Sequence, residues 1–225
     1  MNRPNASGRS VHHNLNIIGP DTPNDAIQAL SLANGTAVTK SNQAQLARQR
    51  GDAHAAITLH REALALKLRT YPATSIQVAI SLNGLGEALM AAGQLEEADE
   101  VLAQALAVRE TAGPRLDAAA TRENIGALRE KQGRFAEAAE VRLLGRDGEM
   151  LCVYEKCPHP NTFSRNQLMA CAACKTAFYC SKACQVNDWK ARHRPLCKAF
   201  TAERDVAAAA TTTDAADTVQ GTADS

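Results

Sequence analysis

Cys171-Ala172-Ala173-Cys174, Cys180-Ser181-Lys182-Ala183-Cys184 and His193-Arg194-Pro195-Leu196-Cys197 follow one another closely, and Cys152-Val153-Tyr154-Glu155-Lys156-Cys157 precedes them. Together these stretches hold all seven cysteines of the 225-residue chain, confined to about a fifth of its length, plus one imidazole. They form four close pairs. Gaps of two to four residues let both side chains of a pair reach one ion from a tight turn or a single helical turn. A pair supplies half of a tetrahedral shell, so each ion must recruit a second pair from further along. Eight such ligands are what two zinc ions require. Disulfides would need an oxidising compartment, to which nothing in the sequence directs the chain. Cysteines serving only as core filler would not cluster in this way.

The residues between the ligands narrow the reading. Phe178-Tyr179-Cys180-Ser181-Lys182-Ala183-Cys184-Gln185, then Asp188-Trp189-Lys190 and His193-Arg194-Pro195-Leu196-Cys197, resemble the MYND-type zinc finger. The resemblance implies two interleaved, cross-braced sites. Cys152, Cys157, Cys180 and Cys184 would hold one Zn2+, and Cys171, Cys174, His193 and Cys197 the other. The first pair departs from the family, with four intervening residues where two are usual, and His159 offers an alternative partner for Cys157. The resemblance also implies a shallow groove at Gln185 and Trp189 for short proline-containing peptides. Their spacing of four puts both on one helical face. Against that stands Trp189, the single Trp, as the small core of the finger.

Upstream, Gly51-Asp52-x3-Ala56, Gly93-Gln94-x3-Ala98 and Gly133-Arg134-x3-Ala138 recur at intervals of 42 and 40 residues. Leu85-Gly86 returns as Ile125-Gly126, and Ala56 and Ala63 as Ala98 and Ala105. A glycine that breaks the chain between two helices, with small residues where the helices approach, describes a repeated helical hairpin. Leu82, Leu85, Leu89 and Leu102 fill the rest of the apolar face. Pro72 and Pro114 stand between units, where a helix must start anew. The pattern resembles a tetratricopeptide (TPR) array of the extended kinesin-light-chain type, which carries motifs like Leu82-Asn83-Gly84-Leu85-Gly86. The first repeat departs from it, with Ala44 at the packing glycine and His60 at an apolar position. The third ends early, near Leu144-Gly145.

The expected fold is therefore mainly α: a TPR-like helical array over 25–146, then a small two-zinc MYND finger over 150–200. Residues 1–24, rich in Asn, Ser, Gly and Pro, read as a disordered arm, and 201–225 as a disordered low-complexity tail. The array buries its own apolar faces and is expected to fold without metal. The short linker Gly145-Arg146-Asp147-Gly148-Glu149 suggests that the finger packs on the last helix pair. Arg61, Glu62, Glu96, Glu97, Arg109 and Glu110 read as solvated helix faces.

Composition fits this picture. The formal charge is +1, hydrophobic content is 45% and aromatic content only 4%, so the apolar residues are mostly helix-forming Ala and Leu. No run approaches the roughly 20 apolar residues of a membrane span. Free thiolates suit an intracellular setting, cytoplasm or nucleus. The finger carries eight Lys and Arg against Glu155 and Asp188. Seven thiolates holding two divalent ions offset about half of that excess, and no aromatics interleave with the cations. A nucleic-acid-associated transcriptional regulator is thus the alternative reading, and a protein-protein interaction adaptor the leading one. MYND fingers also occur inside lysine methyltransferases, but the repeats and finger leave no stretch here for a catalytic domain. No enzymatic role is expected. The zinc would be structural, because four protein ligands leave no position open for water.

Overall fold

In a computed structural model, the described residues are 22–145, 147–159, 161–202 and 204. The stretches read as arm (1–24) and tail (201–225) lie outside them, apart from 22–24, 201, 202 and 204. The chain divides within its fifth helix into two compact units, Met1–Leu128 and Arg129–Ser225.

The first unit is a run of antiparallel helices. Helix α1 spans Asn24–Gln49, α2 Ala53–Thr70, α3 Ile76–Ala92, α4 Leu95–Ala112 and α5 Arg115–Lys131, whose last turn enters the second unit. The repeated glycines end helices. Gly51 and Gly93 adopt φ of 85° and 78°, a left-handed conformation that favours glycine. After each, the next residue turns its N–H back onto the preceding helix: Asp52 onto Ala47 O at 3.0 Å and Gln94 onto Leu89 O at 2.9 Å. This is the paired-bond helix stop that satisfies otherwise orphaned carbonyls. The following helix then starts at once, with Asp52 accepting from Ala55 N at 3.0 Å. Five residues after the glycine, Ala56 and Ala98 are fully buried, as are Ala63 and Ala105 about two turns further on. At Gly86 a methyl group would meet Leu102 Cγ at 2.5 Å, so the glycine is required for the close approach of α3 to α4.

Polar side chains are also drawn inside this unit. Thr121 Oγ1 donates to Asn83 Oδ1 at 3.0 Å and accepts from Arg109 Nη1 at 2.7 Å, while Asn124 Nδ2 donates to Asn83 Oδ1 and Glu87 Oε1. Arg109 is therefore no solvated charge. It is 6% exposed and ties α4 to α5, with a second bond to Asp117 O. Arg61 and Glu97 behave as surface charges and pair at 2.7 Å in the open.

The second unit begins in the last turn of α5. Gly133 repeats the left-handed stop (φ 76°), Arg134 N reaches Arg129 O at 2.8 Å, and α6 follows over Phe135–Leu143. The chain then forms an isolated bridge between Met150 and Phe163 and a 3-10 turn over Arg165–Gln167. A two-stranded antiparallel hairpin follows, β1 Met169–Ala170 against β2 Phe178–Tyr179, with Met169 opposite Tyr179 and Ala170 opposite Phe178. Helix α7, Lys182–Asp188, continues through a π turn at Trp189–His193 into a final helix over 194–202. Among the described residues, no helix is long and apolar enough to cross a membrane.

Candidate metal centre

Each ligand pair is presented by a different piece of local structure. The hairpin connection carries Cys171 and Cys174. Cys171 N donates to Ala177 O at 2.8 Å, and Lys175, at φ 63°, turns its N–H onto Cys171 O at 3.0 Å. This curls the connection so that both thiols face one point. Cys180 leaves β2 directly. Ser181 then caps α7 by accepting from Cys184 N at 3.2 Å, which fixes Cys184 in the first helical turn. Val153 N donates to Phe178 O at 2.9 Å and lays the Cys152 segment beside β2. His193 and Cys197 share a helical face one turn apart.

Cys152, Cys157, Cys180 and Cys184 come together in one group, and Cys171, Cys174, His193 and Cys197 in another. Within each, the ligand atoms all lie within 4.8 Å of one another. In the first, Cys157 and Cys180 sulfurs are 3.5 Å apart, Cys180 and Cys184 3.7 Å, and Cys157 and Cys184 3.8 Å. In the second, Cys171 and Cys197 sulfurs are 3.8 Å apart, and Cys174 Sγ is 3.5 Å from His193 Nε2. Sulfurs about 2.3 Å from one tetrahedral ion stand about 3.8 Å apart, and a sulfur and an imidazole nitrogen about 3.6 Å. Disulfide sulfurs would be about 2.0 Å apart, and all seven cysteines are free. The geometry is that of two zinc sites. His159 contributes its backbone instead: its N–H donates to Cys157 Sγ at 3.4 Å, and its imidazole is outside the group.

The electrostatics agree. Without a metal, burial pushes the Cys180 thiol up to about 11 and the Cys197 thiol to about 12 and raises Cys152, whereas at Cys171 and Cys184 hydrogen bonds from neighbouring groups outweigh burial and lower the thiol. A cluster of buried thiolates is costly without a cation, and a divalent ion removes that cost. Burial lowers His193, which keeps its imidazole neutral and able to ligate.

Around the sites lies a polar frame that sequence reasoning missed. Asp188, 2% exposed, accepts from Tyr179 Oη at 2.9 Å and from Arg192 Nε and Nη2 at 3.2 Å each. Arg192 also donates to Glu130 Oε2 at 2.6 Å, and Arg142 donates to Glu130 Oε1 at 2.6 Å. Burial alone would raise the Glu130 carboxyl, but the two guanidinium groups outweigh it and hold it below the usual range. Spacing rules find ligands. They carry no signal for partners as far apart as residues 130 and 192.

Gln185 and Trp189 sit on the outer side of this frame. The aromatic core of the finger is Phe178 and Tyr179, both essentially buried, whereas Trp189 is 37% exposed. One edge of its ring meets the His193 ring, with centroids 5.9 Å apart at 60°. Gln185 accepts from Lys182 Nζ at 3.0 Å, which leaves its amide nitrogen as a donor.

Comparison with known proteins adds the family terms. Residues 35–111 and 77–141 match the tetratricopeptide repeat, and residues 152–197 the MYND finger. The chain is a TPR array followed by a MYND finger. Both are protein-interaction modules. An F-box protein of Arabidopsis thaliana is 41% identical over 51 residues, covering 23% of this chain and 13% of the relative. A histone-lysine N-methyltransferase of the same organism is 46% identical over 39 residues, 17% of this chain and 8% of the relative. A ubiquitin carboxyl-terminal hydrolase, also from Arabidopsis thaliana, is 53% identical over 30 residues, 13% of this chain and 4% of the relative. The chain thus spans about an eighth or less of the length of these relatives.

Proposed function

We propose that this TPR–MYND chain is a non-catalytic adaptor whose two modules each present a peptide-binding surface, with the finger taking extended, proline-containing segments. The observation that carries the reading is the exposure of Trp189, at the start of the π turn and four residues after Gln185 of α7. A flat indole edge suits proline rings, and a free amide donor suits the backbone carbonyls of an extended ligand. Met169 and Val186 are further exposed apolar side chains of the finger, at 43% and 39%. Among the described residues, strand β1 is paired on one side only, which leaves backbone groups for an added strand.

The relatives are named as an F-box protein, a methyltransferase and a hydrolase while sharing 51 residues or fewer with this chain, which fits a binding module attached to unlike proteins. Thiolate-rich zinc sites fit an intracellular, reducing compartment.

The test is titration of proline-containing peptides onto the zinc-loaded full chain, beside Trp189→Ala. The variant is expected to retain both ions and to lose binding at least tenfold. Unchanged binding would place the recognition surface elsewhere, with the array as the next surface to map. Binding of nucleic acid that falls steeply with added salt would favour the transcriptional-regulator alternative.

A further inference from the structure

Helix α6 has nine residues, fewer than the roughly 12–15 that a helix needs to persist alone in water. Its buried side chains are Phe135, Ala138 and Arg142, and two of these are satisfied by the finger. The Phe135 ring packs on Phe200, in the final helix, with centroids 5.1 Å apart. Arg142, 4% exposed, donates to Thr176 O at 2.9 Å as well as to Glu130. Thr176, itself 3% exposed, donates its hydroxyl to Cys174 Sγ at 3.3 Å. A continuous polar path therefore runs from Glu130 through Arg142 and Thr176 to a zinc-ligand sulfur. A second path runs from Glu130 through Arg192, whose Nη2 reaches Val153 O at 3.4 Å, beside Cys152.

We propose that α6 and the last turn of α5 belong to the outer shell of the zinc centre, with Glu130, Arg142 and Thr176 as positioning residues for the Cys171/Cys174/His193/Cys197 site, so that the last helical hairpin folds only when the finger holds its metal. The argument is one of buried charge. Glu130 is satisfied by two guanidinium groups, and one of them, Arg192, sits in the finger between the ligand segments. If the finger loses its ion and opens, Arg192 and the Thr176 carbonyl leave together. Arg142 and Glu130 then face each other with bonds unmade and Phe135 without its ring partner, a state that favours water over packing. Linkage makes the coupling mutual: a site that needs α6 for its shape holds zinc more tightly when α6 is in place. Groups around metal ligands commonly change affinity about 10- to 100-fold when removed. The expectation that the whole array is indifferent to metal therefore stops short of its last helix.

The test begins with the unaltered full chain. Amide hydrogen exchange is followed with zinc bound and after chelation. Residues 135–143 are expected to exchange at least tenfold faster without zinc, in step with the finger, while α2 and α3 stay as they were. Protection of α6 that survives loss of the metal overturns the proposal. The second arm is Thr176→Val, which removes one hydroxyl and keeps the volume. With cadmium in place of zinc, the all-sulfur site and the site with one nitrogen give separate NMR resonances, so release of each ion can be followed. Release from the Cys171 site is expected to be about tenfold faster, with the other unchanged. Equal rates at both sites, or no change at either, remove Thr176 from the path and overturn its assignment. Glu130→Gln extends the series. Should that variant fail to fold, exchange on the unaltered chain still decides.

Discussion

A methyl group placed on Gly84 would lie 2.6 Å from Cε1 of His60. The glycine is therefore the other half of the imidazole: α3 gives up a side chain so that α2 can bury a ring. Gly84→Ala gains about 1 kcal/mol of helix propensity. It is nonetheless expected to lower stability by about 1–3 kcal/mol, because a buried ring has nowhere to move. Adding His60→Ala should recover part of the loss, a non-additivity that denaturant unfolding of the two single variants and the double variant would measure.

His60 also makes the array sensitive to acid. The ring is 5% exposed and, among the described residues, neither nitrogen has a hydrogen-bond partner. Burial first, and the charge of Arg48 second, lower its pKa to about 4. The neutral ring belongs to the folded state, so its contribution is complete above the unfolded value of about 6.5 and is lost as pH falls from there towards 4. About 3 kcal/mol is at stake across that window. His60→Leu should flatten the pH dependence of thermal unfolding between pH 7 and 4 and raise stability at pH 7, since an apolar side chain leaves no buried polar atom unpaired. An unchanged slope would show that another group governs acid unfolding.

Native mass spectrometry should count two zinc ions per chain, and loading should release protons, because the Cys180 and Cys197 thiols are held up to about 11 and 12 without metal. Zinc affinity should fall steadily below neutral pH as ligand thiolates are reprotonated. Cys180→Ser should lose at least one ion, and with it the finger's folded structure. His159→Ala should leave the count at two.

Much of this was legible in the sequence. The four ligand pairs follow from spacing and the helix stops from three glycines, because these features are local and obey short-range rules, whereas the division of the pairs into two groups came from the resemblance to the MYND finger. The fate of the charges was not. Arg61 and Arg109 read alike in sequence, yet the first is a surface partner of Glu97 and the second is buried against Thr121. What separates them is which helix lies opposite, and that is settled by packing. The same holds for Glu130 and Arg192, which meet across 62 residues. His60 stood out in the sequence as a polar residue at an apolar position, but its accommodation by Gly84 is visible only in three dimensions.

Arg109→Lys should test how far the buried guanidinium depends on its shape. The planar group serves Asp117 O and Thr121 Oγ1 from one nitrogen at 3.1 and 2.7 Å. An ammonium group on a differently shaped stem cannot keep both contacts and its packing. A loss of about 1–3 kcal/mol is expected in chemical unfolding. A variant as stable as the parent would mean that water takes over the lost contacts.

The interleaving of the two metal groups also sets an order of assembly. Cys157 and Cys184 are joined through one group and Cys171 and Cys197 through the other, so each closure encloses half of its neighbour's ligands. As the chain leaves the ribosome, the first group becomes complete once residue 184 has emerged. The second must wait for residue 197. Between those moments Cys171 and Cys174 are present without His193 and Cys197, a half-shell open to the wrong metal or to oxidation. Both half-shells stand open until residue 184 emerges, one stays open over the thirteen residues that follow, and a frameshift in that last stretch would leave one site whole and the other permanently half-built.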